Sequence, residues 1–133
     1  MRSLAREVVF KYIFSQLFNP GDEELFIVMS KDAKLNEADF SFANELLSYI
    51  NNNSNKYLDV IKDLSIGYDL NRIFSSDKCA LMIGIAELEN YPNTPVPVIV
   101  DEALKLVSKY SSEKSTDFVN GILAKYCKNI GRN

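Results

Sequence analysis

The chain of 133 residues is 47 % hydrophobic and 25 % charged, enough to bury one core of ordinary size and too apolar to stay unfolded. Its formal net charge of -3 argues against a general nucleic-acid binder held by bulk positive charge. There is no histidine, so the commonest general base and metal ligand are missing, and no Gly-rich phosphate loop, Gly-x-Ser-x-Gly elbow or Cys-x-x-Cys pair occurs. Carboxylate pairs exist, such as Glu87 with Glu89 and Asp101 with Glu102, but an i, i+4 pairing of Asp101 with Lys105 accounts for the second. No enzyme, catalytic residue, cofactor or metal site is expected.

In chain order the patterns are helical throughout, and no period-2 run competes with them. Residues 3–18 are apolar over most of the helix circumference, with Ser3, Glu7, Lys11 and Ser15 as a narrow polar strip, which predicts a central helix packed on several sides. Asn19-Pro20-Gly21 stops it, and Asp22-Glu23-Glu24 suits the first turn of the next helix, where the dipole favours carboxylates. A third helix is predicted over 37–51, with Ala43, Leu46, Leu47 and Ile50 inward. The run Asn51 to Asn55 reads as a turn with a ready N-cap, and Tyr57, Val60, Ile61 and Leu64 mark a further helix. Residues 67–73 read as a loop and a short helix. Ser75, Ser76 and Asp77 offer caps to a helix whose interior, Cys79 to Ala86, carries no charge and must be buried nearly all round. Tyr91-Pro92-Asn93 ends it, and Thr94 caps a new helix with Pro95 at its first position. The expected class is all-α: about seven helices in a single compact domain over 1–133.

Cys79 and Cys127 sit at helical positions without metal-ligand spacing, as buried thiols of a reducing compartment do. No apolar run approaches the roughly 18 residues of a membrane span. Glu7 and Lys11 break up any signal-peptide core, so the cytoplasm is the expected location and no membrane partner is foreseen.

The last helix carries the most information. Val119, Ile122, Leu123 and Tyr126 form its inward stripe, and Gly121 stands where alanine would favour the helix by roughly 1 kcal/mol, which suggests close approach by another group. Phe118 lies at the stripe's edge, in line with Lys114, Gly121, Lys125 and Lys128. An aromatic ring among lysines can stack a base and hold its phosphate; equally, Phe118 can be core and the lysines a solvated face. Charge is also unevenly distributed: residues 1–16 sum to +2 and 103–133 to +4, leaving -9 between them. Side by side, the first and last helices would form a basic strip on an acidic body, suited to one short RNA rather than to any RNA.

Three motifs in register now gain meaning together: Arg2, Ala5-Arg6-Glu7 and Phe14 in the first helix; Ile85-Ala86-Glu87-Leu88 in the middle; and Pro95, Asp101-Glu102-Ala103-Leu104, Tyr110 and Phe118 to Leu123 at the end. Over nearly its whole length the chain resembles the NusB family of transcription antitermination factors. That resemblance implies a small domain of two helical halves packed across each other. It implies binding of the single-stranded boxA element of ribosomal RNA leaders together with NusE, a ribosomal protein, and through these an indirect association with other Nus factors and RNA polymerase. Residue by residue, it assigns Arg2, Arg6 and Phe118 to RNA, and Phe14 and Glu87 to the protein partner; helical spacing adds Lys114 and Lys125 beside Phe118, and Phe18 beside Phe14.

Glu87 in the last turn of its helix is placed against the dipole, where an acid answers a basic partner; a solvated helix end explains it as cheaply. The chain departs from the family pattern in its short arginine run before Ala5, in Phe14 where tyrosine is common, and in Ala86 before the central glutamate. The last two thin the expected partner surface. A helical adaptor binding protein alone is the alternative function, and the aromatics of the first helix would equally serve a homodimer. The domain also resembles the RNA-binding part of certain ribosomal RNA cytosine methyltransferases, but no Rossmann-like half is present, so methyl transfer is not expected.

Overall fold

The computed structural model describes residues 2–67 and 69–132, with Leu70 described for its backbone alone. Tyr68 of the expected loop and Met1 and Asn133 of the expected domain lie outside the described residues. Six α-helices follow one another: α1 Arg2–Phe18, α2 Glu24–Asp32, α3 Glu37–Leu64, α4 Ser75–Asn90, α5 Val96–Tyr110 and α6 Lys114–Asn129, with a short 3-10 turn at Leu70–Arg72. No strand occurs among the described residues. The helices α1–α3 form one half and α4–α6 the other, joined mainly where α4 packs on α3 and α1.

The uncharged run made α4 the axis of the molecule. Cys79, Ala80, Leu81, Ile83, Ile85, Ala86 and Leu88 are all buried, and α4 touches α1, α3, α5 and α6. Each such aliphatic side chain taken from water contributes about 1.5–3 kcal/mol. Burial also pushes the Cys79 thiol up to about 12, so it stays protonated and inert as a core residue.

Two predicted helices are one. The asparagine run does not break the chain; α3 continues through it to Leu64 with a kink at Asn53, whose backbone leaves the helical region at φ -130°, ψ 18°. Asn53 Nδ2 donates to the Tyr49 carbonyl at 2.8 Å, so the side chain takes up an acceptor that the kink disturbs. Local turn preference lost to the inward stripe on either side, because Ile50, Tyr57 and Ile61 are buried against the same core. At α5 the start lies one residue later than predicted, with Pro95 rather than Thr94 at the N-cap.

The N-terminal part of the polar strip of α1, Ser3 and Glu7, faces a helix, whereas Lys11 is exposed. Ser3 Oγ donates to Glu102 (2.6 Å), and Glu7 accepts from Tyr110 Oη (2.7 Å) and Lys109 Nζ (3.1 Å), all on α5. The Asp101–Lys105 pairing gives way to Lys105–Glu102 at 3.6 Å. The predicted neighbourhood of the first and last helices also fails. α6 packs on α5, α4 and α3, whereas α1 packs on α3, α2, α4 and α5, so α3, α4 and α5 are their shared neighbours and the two helices do not lie side by side.

Close helix approach occurs at Gly84, not at Gly121. A Cβ on Gly84 would meet Leu123 Cδ2 at 2.9 Å, whereas one on Gly121 would meet nothing within 4 Å. Gly84→Val is therefore expected to cost about 1–3 kcal/mol by forcing α6 away from α4. Gly121→Ala is expected to stabilise by about 0.5–1 kcal/mol. Urea unfolding of the two variants checks both signs.

Candidate nucleic-acid and partner interface

At the N-terminal end of α1, Arg6 reaches across to α4. Its Nε and Nη2 donate to both Glu87 oxygens at 2.8 and 2.7 Å, a two-pronged pair in which Arg6 is 3 % and Glu87 1 % exposed. Glu102 adds a second carboxylate 3.8 Å from Arg6 Nη1. Burial pushes the Glu87 carboxyl up from the usual range, while the hydrogen bonds and charge of Arg6 pull it down. The basic group that answers the misplaced acid is thus in the same chain, and the solvated-end explanation of Glu87 is overturned. Exposed Arg2 lies one turn from Arg6, with its guanidinium carbon 4.5 Å from the centre of the buried Phe42 ring.

Midway along α1, Glu7 takes hydrogen bonds from α5 and lies 3.5 Å from Lys11 Nζ. Burial raises its carboxyl, but the Tyr110 and Lys109 hydrogen bonds and the charges of Lys109 and Lys11 prevail and hold it below the usual glutamate range.

The C-terminal end of α1 opens onto a furrow. Phe10, Phe14 and Phe18 stack in series, with ring centres 6.3 and 5.2 Å apart, and Phe18 is 64 % exposed. A depression of about 300 Å³ between Phe10, Lys11, Phe14 and Tyr110 adjoins a second of about 450 Å³ between Phe18, Phe74 and Ser112. A third, of about 390 Å³, continues past Phe74 to Arg72, Asp77, Lys114 and Phe118. Shared walls, Phe14 with Ser76 and then Phe74 with Ser112, make the three continuous. Phe74 is 63 % exposed at the start of α4, and Asp77, buried at 3 %, has an Oδ1 with no hydrogen-bond partner.

Set beside known proteins, the geometry has a clear precedent. The NusB family model matches residues 1–128. The transcription antitermination protein NusB of Carboxydothermus hydrogenoformans is 30 % identical over 97 % of this chain and 94 % of its own. The chain belongs to the NusB family. A solved NusB of T. maritima superposes with a TM-score of 0.85 at 26 % identity, covering 96 % of this chain and 91 % of that one. A structure of antitermination factors NusB and NusE in complex with double-stranded RNA shares the fold at a TM-score of 0.86 and 23 % identity, covering 96 % of each chain.

The NusB-like residues regroup in space. The motif reading divided them by ligand; the fold divides them by the ends of α1, whose 17 residues span about 25 Å. Arg2, Arg6 and Glu87 gather at one end, and Phe14, Phe18, Lys114 and Phe118 share the furrow at the other. Arg6 and Glu87, assigned to two different ligands, are each other's partner and are not presented at the surface. Half-buried Phe118 packs against the core while lining the furrow. Lys125 stands away from that furrow, where its Nζ donates to the Leu64 carbonyl at 3.3 Å. Ala86 is fully buried, so the missing tyrosine alters packing rather than a surface. Arg72, Phe74 and Asp77 escaped the sequence reading because their segment offered a loop and caps, with no periodicity to mark a shared face.

Arg6→Ala, which leaves the Glu87 carboxylate buried alone, is expected to cost about 3–5 kcal/mol in chemical denaturation, whereas Arg6→Met with Glu87→Leu recovers most of the loss. Because the folded-state pKa of Glu7 is lowered, its stabilising effect is present above the ordinary glutamate range and is lost as pH falls through the folded value. Glu7→Gln should therefore flatten the acid limb of a stability–pH curve; an unchanged limb would refute the assignment.

Proposed function

We propose that this chain is a transcription antitermination factor that binds boxA-type single-stranded RNA of ribosomal RNA leaders together with NusE. It acts in the cytoplasm by assembly, joining other Nus factors on RNA polymerase, and catalyses no reaction. The single observation that carries the reading is the continuous furrow, which joins the aromatic surface of α1 to Lys114 and Phe118 in a chain of this family. Its ends differ in chemistry. Phe14, Phe18 and Phe74 offer apolar contact to a protein, and the unmatched acceptor of Asp77 suits a hydroxyl or a cationic side chain. Phe118 offers a ring for stacking, beside the cations Lys114 and Arg72. The NusB–NusE–RNA structure of the same fold supports a joint protein and RNA surface.

In this reading Lys114 and Lys128 are the cations of α6 best placed for phosphate, since among the described residues neither makes an ion pair. Lys105, Lys109 and Lys11 are tied to Glu102 or Glu7. Lys125 contributes through its charge while bonded to the end of α3.

Titration of fluorescent boxA RNA and a scrambled control, with and without NusE at two salt concentrations, tests the function. Tighter binding of boxA, strengthened by NusE and weakened by salt with a slope of about -0.7 per neutralised phosphate, is the expected result. No discrimination even with NusE present would leave the protein-only adaptor. Phe118→Ala should weaken RNA binding by about 1–3 kcal/mol. Phe18→Ala, at an exposed site, should leave stability within about 0.5 kcal/mol and lower the NusE-dependent gain alone.

A further inference from the structure

The Arg2 end of α1 is built differently from the furrow. Two guanidinium groups lie over the Phe42 ring, Arg2 at 4.5 Å and Arg6 at 5.3 Å from its centre. The ring is 6 % exposed and meets the edge of Tyr91 at 5.4 Å between centres. Tyr91 is itself fixed, since its hydroxyl donates to Glu45 Oε1 at 2.6 Å and its ring stands at 89° to that of Tyr49. Arg6 is fixed by Glu87. A buried, immobile ring therefore lies beneath an exposed arginine.

We propose that Phe42 is a positioning residue that holds the Arg2 guanidinium flat as a stacking platform for one base of the RNA. Bases stack on guanidinium planes as they do on aromatic rings, and Arg2 is an exposed residue. A free arginine loses much rotamer freedom on binding; one already lying on a ring loses less, which is the advantage of preorganisation.

The local charge favours a base over a phosphate. Arg2 and Arg6 share their surroundings with the carboxylates of Glu87, Glu102 and Glu45, so no net positive field collects there. Arg2 thus contributes through its plane rather than its charge. The proposal rests on the RNA-binding reading above and adds a second stacking point to that of Phe118.

The test is a double-mutant cycle on boxA RNA affinity with Phe42→Leu, Arg2→Gln and both together, alongside Arg2→Lys. Phe42→Leu is expected to weaken binding about two- to fivefold, the range of an exposed cation–π contact, and to add nothing once Arg2 is replaced. Arg2→Lys should lose as much as Arg2→Gln, and Phe42→Leu should leave the salt slope unchanged. Side-chain NMR of the free protein should show Arg2 Hδ protons shifted upfield by the Phe42 ring, and the shift lost in Phe42→Leu.

Additive losses, rescue by lysine, or unshifted Arg2 protons would each overturn the proposal while leaving RNA binding intact. No RNA binding by the unmodified chain with NusE present would overturn the antitermination reading, and this proposal with it.

Discussion

A buried arginine and a buried glutamate hold the two halves of this molecule in register. From Cys79 to Ala86 α4 carries no charge, Glu87 follows where the helix dipole disfavours a carboxylate, and Arg6 comes from α1 to meet it with two parallel hydrogen bonds. Hydrophobic burial supplies the stability but specifies poorly how two apolar helices slide past one another. Removing either charge leaves the other stranded in a low-dielectric interior, so the pair permits one alignment. From that alignment follow the contacts of Ser3 and Glu7 with α5 further along the same face of α1.

The fixed alignment has a consequence at each end of α1. At the N-terminal end the ion pair, Phe42 and Tyr91 make a rigid base beneath Arg2. At the C-terminal end, α1 overshoots its neighbours with Phe18 exposed, and the starts of α4 and α6 meet it to form the furrow. One end is held by charge and rings, the other is open and apolar. The proposed ligand set of one RNA and one protein matches that asymmetry: the exposed aromatics offer apolar contact to a protein, and Arg2 and Phe118 are the proposed stacking points for the RNA.

Local pairing also changes what the charge distribution means. Part of the positive charge of the terminal segments is locally paired, Lys109 and Lys11 with Glu7, Lys105 with Glu102 and Arg6 with Glu87. Among the cations outside these pairs, Arg2 lies over a ring and Arg72 and Lys114 line the furrow. Such a surface binds weakly by charge alone and depends on stacking and on a partner for its strength.

The amino-acid sequence by itself determined the all-helical class, the buried α4 and the stripes of α3 and α6, because apolar spacing at the helical period survives any arrangement of neighbours. It also carried the motifs of the family. It could not resolve the asparagine run, where turn propensity and the flanking stripe conflict and only packing on both sides of Asn53 decides. Nor did it give the partners of Arg6 and Glu87, which stand 81 residues apart in sequence. Pairing, the furrow and the seat of Arg2 are long-range facts: tertiary structure alone decides which helix ends meet, and a charge has no role until its neighbour is known.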